Sequence, residues 1–385
     1  MKKLTRIVTL TIWVVLSGCH SEDSAAQYFD KNISPFQVSN NPGNYSVGRV
    51  WEHWRDPQRK ERELSVFLYY PLANANQQPL QQPVLPTEAW QRQHFEAMAS
   101  KLGGWAANKM AQATFTGTSQ KEKVQEKHPV ILFSPGMGWL PTDYSELILP
   151  LVRKGYIVVA LAGQPVSQAV QFPDQSFGQW TGGRIDRYAL QAEDMLFAVQ
   201  QLERLNKNSS WPLAAALDLE KVAAVGHSIS GAATLLTGSK SAQIKALVNL
   251  DGDVIEAAKS AQPTQPILYI TTQPDDVEDL AVEQWGTERN EKRRDGQFEF
   301  NSAKAATTIR LKVPGMLHGD FLDAAHLPMD SIPTKYRNRF GPIGGKKAGE
   351  LTVNAVTTFL NTIFFKQTDW AAFQANYKNV LIQMK

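Results

Sequence analysis

The sequence predicts an α/β architecture, a doubly wound, mostly parallel sheet. Three observations carry that expectation: apolar runs of strand length, helical patterns that alternate with them, and a glycine-flanked serine at one strand-to-helix junction. Strands are expected at residues 64–70, 129–134, 156–162, 221–225, 244–250, 267–272 and 307–313. Most are nearly unbroken in Val, Ile, Leu and Ala, as strands covered on both faces should be. Helices are expected at about 144–154, 187–206, 229–237 and 349–365. A Gln-rich insertion at about 77–126 interrupts the alternation. Within it Phe95, Met98, Leu102 and Trp105 share one helical face, which reads as core packing, with a lid or membrane-facing element as the alternative.

The chain has 385 residues, 43% hydrophobic and 20% charged, enough for a substantial core in one domain, expected over residues 50–385. Residues 1–18 differ in kind. Lys2, Lys3 and Arg6 precede an apolar run from Ile7 to Leu16 that is too short to anchor in a bilayer, so a cleaved leader is expected. The quartet Leu16-Ser17-Gly18-Cys19 resembles a bacterial lipobox, which implies cleavage before Cys19 and acylation of its sulfur. His20 rather than Asp after the cysteine points to the outer membrane. Residues 19–49, polar and rich in Ser and Asn, read as a spacer between lipid and domain.

Cys19 is the single cysteine, so the folded domain has neither a disulfide nor a catalytic thiol. Loss of the leader takes Lys+Arg from 40 to 37 against 37 Asp+Glu, and a chain near neutrality is not expected to bind nucleic acid.

The chemistry concentrates where Val222-Ala-Ala-Val-Gly226-His227-Ser228-Ile229-Ser230-Gly231 passes from strand to helix. This is nearly the G-x-S-x-G nucleophile elbow of the α/β-hydrolase fold, a turn so sharp that its second neighbours on either side must be small. Ser228 is the expected nucleophile, and the N–H of Ile229 one oxyanion donor. The other donor is expected from Met137, in the Gly136-Met137-Gly138 turn that ends the strand at 129–134. The base must follow the nucleophile in this fold, which leaves His318 and His326. His318, just beyond the strand at 307–313, is preferred, with His326 and His227 read as structural. For the acid the residues themselves leave a fork. Asp251 ends the strand after the elbow helix, Asp275 and Asp276 follow the next strand, and Asp253 is a third candidate that would face away if Asp251 faces the histidine.

With these residues in order, the chain resembles the platelet-activating-factor acetylhydrolase family, isoform II, in its plasma and bacterial members, over roughly residues 55–366. The resemblance rests on 62–71 (RELSVFLYYP), 129–138, 144–156, 187–205, the GHSISG elbow, Asn249-Leu-Asp251-Gly, 265–270 and Gly315-Met-Leu-His318-Gly-Asp-Phe321. It implies Asp251 as the acid and Met137 and Ile229 as oxyanion donors. It further implies hydrolysis of a carboxylic ester, of the 1-alkyl-2-acetylglycerophosphocholine esterase kind, on phospholipid with a short or oxidised acyl chain, and no metal or cofactor. Pro135 in place of the usual histidine, Ser230 in place of glycine and the long insertion depart from the family and bear on substrate choice. A broad carboxylesterase, lipase or polyester hydrolase is the alternative activity, and a non-catalytic binding lipoprotein the alternative from another class.

Overall fold

The computed structural model describes residues 28–40, 43–73, 80–118, 124, 126–180, 185–272 and 287–385. The leader expected at 1–18, with Cys19, therefore lies outside the described residues, as do Asp275 and Asp276.

The described chain runs β1 (Ser46–Asp56), β2 (Arg62–Leu72), β3 (Leu80–Pro83), α1 (Glu88–Ala111), β4 (Thr114–Gly117), β5 (His128–Ser134), α2 (Ser145–Arg153), β6 (Ile157–Ala162), α3 (Arg187–Asn206), β7 (Leu217–His227) and α4 (Ile229–Lys240). It continues through β8 (Ile244–Leu250), β9 (Ile267–Thr271), α5 (Thr287–Ser302), β10 (Thr308–Lys312), α6 (Gly345–Phe365), α7 (Trp370–Asn376) and β11 (Leu381–Met384). Nine strands form one sheet in the order β1-β2-β6-β5-β7-β8-β9-β10-β11. From β6 to β10 every pairing is parallel, and the antiparallel pairs lie toward the two edges. The expected doubly wound, mostly parallel sheet is the observed one.

Side chains alternate across a strand, so each central strand feeds two cores. Ile131 and Phe133 of β5, with Val158 and Ala160 of β6, pack with α2, α6 and α1. Val130 and Leu132, with Ile157 and Val159, pack with α3 and α4. Coverage on both faces is why these strands are unbroken apolar runs in the sequence. Two caps begin helices in the way their residue types favour: Thr87 accepts from Trp90 N at α1, and Asp186 accepts from Tyr188 N and Ala189 N at α3. A buried ion pair, Arg62 Nη2 to Asp194 Oδ2 at 2.6 Å, joins β2 to α3.

Two expectations are sharpened by this architecture. The insertion builds α1 and the two-stranded β3–β4 sheet, and its apolar face is core: Phe95, Met98 and Leu102 are buried, with only Trp105 partly exposed. The alternative of a lid does not fit that burial. The stretch expected as a spacer up to residue 49 is, from Tyr28 onward, part of the domain. Asp30 N donates to Asn108 Oδ1, Val38 N to the Thr114 carbonyl and Ser39 N to Glu146 Oε1, and β1 begins at Ser46. Its apolar anchors, Phe29, Phe36 and Val38, follow no period amid polar neighbours, so pattern alone conceals them. Among the described residues no helix is long and apolar enough to cross a membrane.

Candidate active site

Strands β5, β7, β8 and β10 end on the same edge of the sheet, where a parallel α/β fold gathers its functional loops. Ser228 sits between the end of β7 and the start of α4, with φ 55° and ψ −127°. A non-glycine residue in that conformation is strained, and the elbow imposes it. A Cβ on Gly226 would lie 2.3 Å from the Ser230 carbonyl oxygen, and one on Gly252 would lie 2.3 Å from the Ser228 carbonyl oxygen. Glycine at both places is therefore a steric requirement of the turn and of the β8 end packed against it.

Asp251 follows β8 directly and is buried; His318 opens a helical turn beyond β10 and is partly exposed. Their side chains meet, His318 Nδ1 to Asp251 Oδ2 at 2.7 Å. Each carboxylate oxygen accepts two bonds, Oδ1 from Thr272 N at 2.9 Å and Arg294 Nη2 at 2.9 Å, Oδ2 from Thr272 Oγ1 at 2.6 Å and from His318. Burial alone would raise the pKa of Asp251. The charge of Arg294 and the bonds from His318 and Thr272 outweigh it and hold the carboxyl well below its ordinary range. With Nδ1 committed to a permanent carboxylate, Nε2 is the nitrogen left to take a proton from a hydroxyl.

The oxyanion side is read from which amides are engaged. Gly136 N donates to Tyr144 Oη at 2.9 Å, Gly138 N to the Val166 carbonyl at 2.7 Å and Ser228 N to the Leu250 carbonyl at 2.9 Å. The amides of Met137 and Ile229 have no protein partner among the described residues. The turn that carries Met137 closes on the elbow, since a Cβ on Gly136 would be 3.2 Å from Ser228 Cβ. The two departures from the family pattern meet at this junction. Ser230 Oγ donates to the Pro135 carbonyl at 2.5 Å, and Gln191 Nε2 of α3 donates to Ser230 Oγ and Ser134 Oγ, each at 3.0 Å. This buried network ties the elbow helix to the Gly136–Gly138 turn, a role glycine at 230 could not serve.

His227, read from the sequence as structural, lies directly against the site. Its ring centroid is 4.4 Å from that of His318 and 5.0 Å from Phe321, and its Nδ1 is 2.8 Å from Tyr144 Oη. Tyr144 Oη, which accepts from Gly136 N, can donate its own hydrogen to His227 Nδ1. Burial, reinforced by the charge on His318, holds the His227 imidazole neutral. It is thus an uncharged platform under His318. Asp253 turns away from His318, to Arg293 Nη2 and Arg294 Nε at 2.8 Å each. His326 packs against Phe36 on another part of the surface. Arg294 and Thr272 are the site residues the sequence reading missed; neither lies in a motif, and each acts only through a carboxylate far away in the chain.

The fold is that of the α/β hydrolases, and side chains of the kinds nucleophilic acyl transfer needs are gathered at one sheet edge. A ferulic acid esterase from Streptomyces cinnamoneus superposes on 91% of this chain and 100% of its own, with TM-score 0.68 and 20% sequence identity, which shows the shared fold. Over part of its length the chain is similar to the platelet-activating factor acetylhydrolases. The model of the isoform II family matches residues 32–177, a region that stops before the elbow. The acetylhydrolase of Canis lupus familiaris is 25% identical over 231 residues, 51% of this chain and 49% of that protein. The Bos taurus enzyme is 23% identical over 283 residues, 63% of this chain and 61% of that protein. The matched region thus spans between about half and three-fifths of these curated relatives.

Proposed function

We propose that this protein is a serine carboxylester hydrolase. Ser228 attacks the ester carbonyl, and His318 takes the hydroxyl proton and returns it to the leaving alcohol. Asp251 holds the imidazole and balances its charge, while the Met137 and Ile229 amides bind the oxyanion of each tetrahedral intermediate. Water, activated by the same histidine, then cleaves the acyl-serine. The observation that carries the reading is the 2.7 Å bond between His318 and Asp251, made beside a strained serine and two unengaged amides.

The acetylhydrolase likeness favours phospholipid with a short or oxidised acyl chain, and a lipid on Cys19 would hold the enzyme at the envelope membrane beside such substrates. Labelling by a fluorophosphonate probe tests the nucleophile, with Ser228→Ala as control; a folded wild-type protein that stays unlabelled is a binding lipoprotein and not an enzyme. A panel of p-nitrophenyl esters and short-acyl phospholipids tests the substrate. Preference for acetyl and other short chains on a glycerophospholipid supports it, and equal turnover of long or aromatic acyl esters assigns a broad carboxylesterase instead.

A further inference from the structure

The acid of the site is held by an arginine from an element that carries none of the reacting groups. Arg294 lies on α5, between β9 and β10, and its guanidinium spans two carboxylates, Nη2 to Asp251 Oδ1 at 2.9 Å and Nε to Asp253 Oδ1 at 2.8 Å. Arg293 closes the cluster on the other Asp253 oxygen at 2.8 Å. Arg294 is mostly buried, and Asp251 more so, so the pair is little screened by solvent.

The chemistry of the proposed reaction gives this contact a consequence. The base must become an imidazolium in each transition state, and the Asp251 charge is what stabilises that cation. A guanidinium on the far oxygen offsets part of the same charge and lowers the basicity of His318. It also fixes the plane of the carboxylate, because a planar fork holds a carboxylate in one orientation where a free rotor would not. Among the described residues, the charged and titratable groups around His318 include Asp251 at the end of β8, neutral His227 under its ring, Asp253 with Arg293 beyond Arg294, and Asp320 on its own helical turn.

We propose that Arg294 is a positioning residue that orients Asp251 and tempers the charge it presents to His318, with Asp253 as the counterweight that sets how much of the guanidinium charge reaches Asp251. The proposal rests on the acyl-serine reading above. It also gives α5 a role at the site: a shift of this helix would change the strength of the base without touching the substrate.

The test is the pH dependence of Ser228 phosphonylation by a fluorophosphonate probe, which needs no knowledge of the natural ester. It is measured on the full chain and on Arg294→Gln, Arg294→Lys and Asp253→Asn, with circular dichroism and melting temperature for each. Arg294→Gln is expected to move the acidic limb of the rate profile upward by about one pH unit and to lower its plateau. Arg294→Lys should keep the limb near the wild-type position while the plateau stays low, because the charge survives and the fork does not. Asp253→Asn should move the limb downward, since the guanidinium charge then falls on Asp251 alone. A limb unmoved by Arg294→Gln, or an Arg294→Lys profile identical to that of Arg294→Gln, overturns the proposal. If Arg294→Gln does not fold, Asp253→Asn decides by itself, and a limb that stays or rises overturns it. Failure of the wild-type protein to react at any pH instead overturns the acyl-serine reading.

Discussion

The Nδ1 of His318 and the Oδ2 of Asp251 stand 2.7 Å apart, although 67 residues separate them in the chain. That bond commits one ring nitrogen to a carboxylate that the Arg294 charge and four donated bonds keep ionised against its burial, and so selects the tautomer a general base requires.

From this follows the loss expected in the site variants. Ser228→Ala and His318→Ala should each remove several orders of magnitude of kcat on a short-chain ester, and the double variant should be little worse than either, because the groups act as a unit. Asp251→Asn should cost about 10⁴-fold while leaving the protein folded, since the amide favours the wrong tautomer. Losses that multiply in the double variant would contradict a shared mechanism.

The Ser230 network makes a prediction about stability. Ser230→Ala deprives the Pro135 carbonyl of its donor and leaves Gln191 one acceptor short inside the core, so unfolding in urea should show a loss of about 1–3 kcal/mol. Because that bond ties the elbow to the turn carrying Met137, kcat should fall with KM little changed. A variant as stable and as active as wild type would mean the network contributes nothing.

Asp320 accepts from the amides of Leu317 and Gly341 and so anchors the His318 turn, and its carboxyl is buried. Burial pushes its pKa up to about 7, against the lowering effect of those bonds. The folded state therefore holds a proton that the unfolded chain releases near pH 4. Stability from this group is full below about pH 4 and is lost as pH rises through about 7, at about 1.4 kcal/mol per unit within that window. Asp251 runs the other way, its contribution present above about pH 4 and lost below it, so the two windows do not overlap. Denaturation at pH 4 to 8 should show a flatter slope for Asp320→Asn than for wild type; equal slopes would show that Asp320 is already ionised throughout.

The proposed lipid on Cys19 is tested at its sulfur. Cys19→Ala should leave an unprocessed or mislocalised precursor with an intact domain, and the wild-type mature chain should partition into the detergent phase. Recovery of wild type in the aqueous phase, with no lipid by mass spectrometry, would make Cys19 an ordinary residue.

The sequence by itself determined the inner sheet and the elbow, because both are local demands. Strands such as Ile244–Leu250 must be apolar along their whole length once helices cover both faces, and the turn at Ser228 admits only small residues at 226 and 230. It also brought Asp251 and His318 to the ends of parallel strands, but by pattern alone Asp275 and Asp276 were equal to Asp251, and the family likeness supplied the preference. Only the tertiary structure decided what depends on distant segments meeting. It put the Asp251 carboxylate against His318, laid the segment from Tyr28 to Asn40 along α1 and β4, brought Arg294 to Asp251 across 43 residues and joined Ser230 to Pro135 across 95. A hydrogen bond or ion pair of this kind leaves no period and no motif behind it, since its two halves sit in unrelated stretches of chain that packing alone brings together.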